Sequence, residues 1–176
     1  MPTTILTDIA EAKITQAAGS GSQVAITHVA LGDGNGASYN GDFGQTSLRR
    51  ERVRVPIERR HFVSPNAWRV KAEFGADTVA FDVREAGFFD AGGSLIALCT
   101  FPEAEVRRTG AIVYLIDHVL NFSRVAEGHI IVDAPDDELF DFAVSMLTEQ
   151  ASQRIELFNI NEAFYHEIGR YLGDLK

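Results

Sequence analysis

Four sets of residues in this chain could in principle do chemistry. The first is the glycine-rich stretch Gly32-Asp33-Gly34-Asn35-Gly36, directly after an apolar run. A Walker-type phosphate loop needs Lys-Ser or Lys-Thr after its glycines, and neither pair follows. A dinucleotide loop needs Gly-x-Gly-x-x-Gly opening into a helix. Here Gly36 comes one residue early, and Ala37 to Asp42 carry no helical apolar pattern. A calcium loop needs three oxygen-bearing positions before its glycine and then a bidentate glutamate. Asp33 and Asn35 supply two oxygens, but the positions after them do not fit. Gly32, Asp33, Gly34, Asn35 and Gly36 therefore read as a structural turn after a strand, with an incidental cation as the alternative.

The second set is the histidines at 28, 61, 118, 129 and 166, none of which forms a His-Glu-x-x-His or comparable pair. They read as ordinary core-edge or interface residues. The third is the lone cysteine, Cys99, inside the apolar run Leu95 to Cys99. With no adjacent base it reads as a buried, inert thiol, and one cysteine forms no intrachain disulfide. The fourth is the carboxylates Asp77, Asp82, Glu85 and Asp90, which could pair for acid–base work but read as solvated loop residues. No Gly-x-Ser-x-Gly elbow is present. These residues imply no catalytic, cofactor-binding or metal-binding role, and no cofactor is expected.

Charge narrows the partners. The chain has 176 residues with 16 basic and 25 acidic side chains, a formal net charge of -9. Repulsion from phosphates argues against a nucleic-acid binder. The one basic cluster, Arg49 to Arg54, is interrupted by Glu51 and Val53 and reads as the solvated face of a strand. No run of about eighteen apolar residues is present to cross a membrane. The residues after Met1 lack the pattern of a signal peptide, so synthesis in a cytoplasm is expected.

The elements that must position these residues are mostly strands. Thr7-Asp8 can cap a helix over Ile9 to Ala18, ended by Gly19 to Ser22. Alternation predicts strands over Gln23 to Leu31, Arg52 to Ile57, Trp68 to Phe74, Val79 to Val83 and Ser94 to Phe101. In the first of these, Val24, Ile26 and His28 share one side, and Ala25, Thr27 and Val29 the other. Asp90-Ala91-Gly92-Gly93 suits a tight hairpin turn. Ala111 to Phe122 alternates through Ile112, Tyr114, Ile116, His118, Leu120 and Phe122, which favours a strand without excluding a helix. Gly128 to Val132 is a further short strand.

After Asp133-Ala134-Pro135 the pattern becomes helical. Pro135 suits a first turn, and Asp136, Asp137 and Glu138 complement the positive end of a helix. Leu157, Ile160, Phe164, Ile168, Tyr171 and Leu172 follow at steps of three, four, four, three and one. Leu139, Ala143 and Met146, with Gln150, form a similar stripe upstream. Such spacing suits a helix docked on its own β domain or a seam between chains. Bulky Phe and Tyr favour a short bundle or a docked helix over a long strict coiled coil.

Three stretches together resemble the N-terminal region of phage tail-collar fibre proteins. The first is Ile5-Leu6-Thr7-Asp8 followed by Ile26 to Gly36. The second is Arg84-Glu85-Ala86-Gly87-Phe88-Phe89-Asp90 followed by Gly93-Ser94-Leu95-Ile96-Ala97, similar to the family's RE-x-G-L-F-D…G-L-I-A segment. The third is Ala111 to Phe122 ahead of Gly128 to Asp133. The resemblance covers roughly residues 5 to 133 and carries no catalytic or cofactor residue. It implies a β-rich module at the root of a tail fibre, fixed to the baseplate within a virion, and a homotrimer. It also favours strand for Ala111 to Phe122.

The expected architecture is α+β. A β-rich attachment domain with a short N-terminal helix spans 1–133, and a helical oligomerisation or docking tail spans 134–176. Family members commonly continue into a shaft and tip, whereas this chain ends after one or two helices, which suggests a connector. Its expected partners are further copies of itself, baseplate proteins and a distal fibre protein, without nucleic acid or membrane insertion. Another wedge or terminator component of the tail, or a glycan-degrading tail enzyme using two carboxylates, are the rival readings.

Overall fold

The computed structural model describes residues 3–122 and 129–173, leaving aside the side chains of 3, 166, 167 and 169–173. The chain divides into two compact units, Met1–Asp136 and Asp137–Lys176.

The first unit is β-rich. Its main sheet has six strands: β1 (Thr3–Leu6), β2 (Val24–Gly32), β3 (Glu51–Pro56), β7 (Glu85–Asp90), β8 (Leu95–Thr100) and β11 (Ile130–Val132). They run in the order β1-β8-β7-β2-β11, and β3 also pairs with β2. β2 is long enough to be shared along one edge, antiparallel with β3 and parallel with β11. A second sheet of β4 (Arg59–Ser64), β5 (Ala67–Phe74) and β10 (Tyr114–Asn121) has the order β10-β5-β4. The two-residue strands β6 (Asp82–Val83) and β9 (Arg107–Arg108) pair separately.

Alternation explains how the sheets meet. Val70, Ala72 and Phe74 of β5 and Ile116 and Leu120 of β10 join Ile26, Val29, Leu31 and Phe88 of the main sheet in one buried cluster. Each inward aromatic or branched side chain removed from water contributes about 1.5–3 kcal/mol. A smaller cluster of Ala30, Leu48, Phe89, Leu95 and Leu98 lies apart from it, with Leu48 supplied by the loop before β3. Helix α1 (Asp8–Ser20) is capped by the Thr7 hydroxyl, which accepts from Ala10 N, and ends on left-handed Gly21. It buries Ala10, Ile14 and Ala17 in the larger cluster.

Several expectations shift. In β2 a register break between Ile26 and His28 puts Val29 on the same core face as Val24 and Ile26, reversing the predicted side. Val79 to Val83 is strand only at Asp82–Val83, and Val79 stands exposed in irregular backbone before it. Ile112 does not join its alternation partners inside. Gly110 and Ala111 both take positive φ, and Ile112 points into solvent just before β10 begins. β4 is a strand the alternation did not predict, since its residues are largely basic and half-exposed.

The second unit is one continuous helix, α2 (Glu138–Gly173), of 36 residues. At 1.5 Å per residue it is about 54 Å long. Pro135 is not in its first turn. Asp137 is the cap, its carboxylate accepting from Phe140 N at 3.2 Å.

Candidate attachment site

Gly32 to Gly36 close over a buried carboxylate. Gly32 pairs with Glu85 across β2 and β7. The Glu85 side chain is fully buried and lies over the glycine. A methyl group on Gly32 would sit 2.4 Å from Glu85 Oε1 and 2.7 Å from the Arg50 carbonyl, so only glycine fits. Glu85 Oε1 accepts from Gly34 N at 3.2 Å and Arg50 N at 2.9 Å. Its Oε2 accepts from Arg49 N at 3.0 Å and from the Tyr39 hydroxyl. The expectation that Glu85 is a solvated loop residue is wrong. Three backbone N–H groups and a phenol compensate its burial.

The neighbouring groups complete a closed network. Asp33 accepts from Asn35 N and forms a two-point ion pair with Arg50 at 2.6 and 2.5 Å. That pairing holds its carboxyl below the usual carboxylate range. Arg49 stacks over the Tyr39 ring at 3.6 Å, and burial, followed by the bond to Glu85, pushes the Tyr39 hydroxyl above its usual pKa. Gly34, Asn35 and Gly36 all take positive φ, which bends the chain between Asp33 and Tyr39. The oxygens of Asp33 and Glu85 are thus occupied by protein donors. The arginines read as a solvated face are in part paired, Arg50 with Asp33 and Arg54 with Glu51.

Of the other candidate carboxylates Asp77 is exposed, and two are ion-paired. Asp90 pairs with Lys13, and Asp82 with Arg84 and Arg108. Burial pushes the Cys99 thiol up. His118 stacks on Phe88 and shares a 2.9 Å hydrogen bond with the Thr4 hydroxyl, and burial lowers its pKa. Among the described residues no three His, Cys, Asp or Glu side chains cluster to hold a metal ion. A cavity of about 380 Å³ beside Lys13, Gln16, Val24 and Gly92 contains one carboxylate, Asp90.

Apolar surface is what remains for partners. On the β unit, Ile112, Val113, Leu115 and Val119 are exposed on and just before β10. β10 pairs only with β5 among the described strands, so it forms one edge of its sheet. The Arg69–Asp117 pair, 2.6 Å at both contacts, crosses the same outer face. On α2, Leu139, Met146, Leu157, Ile160, Phe164 and Ile168 are all exposed, as are Phe142, Leu147, Ile155 and Phe158. Ala143 is exposed as well. The side chains of Tyr171 and Leu172 lie outside the described residues. The β10 edge escaped the sequence reading because outward Leu115 and Val119 resemble core residues in composition.

A β-rich unit whose buried Glu85 carboxylate is held by protein donors, joined to a helix with exposed apolar side chains, has the build of an assembly component. Residues 1–127 match the phage tail-collar fibre protein, N-terminal, family, and the chain belongs to that family. It is a structural protein of a phage tail. No similar curated protein or solved structure was found.

Proposed function

We propose that the chain is a connector at the root of a tail fibre. In this reading residues 1–133 are the attachment domain, fixed to baseplate proteins, and residues 134–176 are the tail that joins copies or receives a distal fibre protein. Its action is binding without catalysis, through packing of apolar surface and avidity from several copies. The supporting observation is the exposure of α2. A helix with so many large apolar side chains in water is stable when another surface covers them. The exposed β10 edge supports docking by the first unit in the same way.

Light scattering on the full chain and on a chain cut after Asp136 tests the tail's role. The full chain is expected to be a multimer and the truncated chain a monomer. An unchanged oligomer after truncation would exclude α2 as the joining element.

A further inference from the structure

Sheet edges in native proteins are blunted by short strands, prolines, lysines or bulges, because an open edge pairs with other chains. Most edges of the β unit follow that rule. β1 has four residues, β11 has three, and β3 ends in Pro56. β4 gives its outer side to Pro135, whose carbonyl accepts from Arg60 N at 2.8 Å. β10 is built differently. It runs for eight residues, Tyr-Leu-Ile-Asp-His-Val-Leu-Asn, without proline, lysine or arginine. Its register with β5 is unbroken from Tyr114 to Asn121.

The direction of its backbone groups follows from one bond. The Phe122 N–H, just past β10, donates to the Asn66 carbonyl at 2.8 Å. Backbone groups alternate in direction along an antiparallel strand. The N–H groups of Ile116, His118 and Leu120 therefore also face β5, and those of Leu115, Val119 and Asn121 face away from it. The side chains of Leu115 and Val119 are exposed as well. Before the strand, Gly110 and Ala111 both take positive φ, a state costly for alanine, and Ile112 and Val113 stand exposed. Arg107 is near this end. Burial pushes the Tyr114 hydroxyl up, and Arg107 is close enough to oppose that shift. Its guanidinium donates to the Val106 carbonyl at 3.4 Å and forms no ion pair among the described residues.

We infer that β10 is an acceptor edge for strand addition: an extended segment of a different tail protein pairs antiparallel with Tyr114–Asn121 and sets an acidic residue beside Arg107. The outward backbone groups supply the hydrogen bonds of such a contact, and Leu115 and Val119 supply apolar contact on one face. Charge selects the occupant. If two copies paired β10 with β10 antiparallel, the Asn121 end of one would reach the Ile112 end of the other. Arg107 would then meet an amide rather than a carboxylate. A separate strand carrying Asp or Glu toward its C-terminal end supplies both the backbone partners and the missing charge.

This inference rests on attachment by the β unit, and the outcomes below separate the two. Leu115→Pro and Val119→Pro each remove an N–H that faces away from β5 and leave the β10–β5 bonds in place. Urea titration followed by Trp68 fluorescence is expected to show a folded β unit in both. Each chain is nevertheless expected to be lost from purified virions, read by mass spectrometry against the parent. Val119→Ala keeps the N–H and is expected to be retained in larger amount than Val119→Pro. Leu115→Lys with Val119→Lys blocks the edge without touching the backbone, and is expected to be lost even if a proline unfolds the unit. Arg107→Glu is expected to lower the amount in virions. A photo-crosslinker placed at Asn121 is expected to join a different tail protein, just ahead of an acidic residue in its chain. Folded proline variants, or the double lysine variant, incorporated like the parent overturn strand addition and leave attachment standing. A Val119→Ala chain lost as fully as Val119→Pro assigns the contact to side chains and also overturns it. A crosslink to a second copy overturns the choice of occupant. A parent chain absent from virions overturns the attachment reading itself.

Discussion

Replacing Glu85 with Gln probes the buried network that holds the glycine turn to the sheet. The carboxylate accepts four hydrogen bonds, three from backbone N–H groups and one from Tyr39. A glutamine keeps the shape but turns one acceptor atom into a donor. If the amide nitrogen takes the Oε1 place, Gly34 N and Arg50 N both lose their acceptor. If it takes the Oε2 place, Tyr39 can rotate to accept, and only Arg49 N is left unpaired. The second orientation is the cheaper. It costs one unsatisfied backbone donor, about 1–3 kcal/mol, together with the extra strength of charge-assisted bonds. E85Q is therefore expected to lose about 2 kcal/mol, and E85A, which strands all four donors, about 4 kcal/mol or more. Trp68 is the single tryptophan and sits in the β unit, so its fluorescence in a urea titration reports that unit. Y39F should cost about 1 kcal/mol alone and less in the E85A background, where the hydroxyl keeps only the bond it accepts from Gln45 Nε2. An E85Q protein within about 0.5 kcal/mol of the parent would refute the claim that this carboxylate organises the turn.

Three further outcomes follow from single sites. G32A forces a methyl group against Glu85 Oε1 and the Arg50 carbonyl. It should destabilise the β unit by about 2–3 kcal/mol in the same titration, whereas G36A meets open space and should cost about 1 kcal/mol from its positive φ alone. His118 has its pKa lowered by burial, so the unfolded chain binds the proton more readily. Its contribution is complete above the ordinary histidine range and is lost as pH falls through that range. Urea midpoints should drop between pH 7.5 and 5, and H118Q should flatten that slope. Cys99 is buried with its thiol pushed up, so a thiol reagent should label the native protein only as fast as it unfolds.

Period-two patterns were readable wherever one face meets the core and the other meets water, as in Trp68 to Phe74. Periodicity misleads where a local backbone event outweighs it. The register break before His28 turned Val29 inward, and positive φ at Gly110 and Ala111 turned Ile112 outward. The turn at Gly32 to Gly36 was legible as a turn from its glycines. What it turns around was not, because Glu85 lies far along the chain and only pairing of β2 with β7 brings it there. A glutamate in sequence looks like surface, and burial becomes affordable only when folding assembles its donors. The α2 stripes were legible because a helix is local.

A cryo-EM map of the virion tests the central claim most directly. The account predicts density for the β-rich unit where a fibre meets the tail, with α2 helices gathered about a common axis. Density for this chain at a fibre tip or away from the fibre root, or α2 standing alone beside the particle, would contradict it.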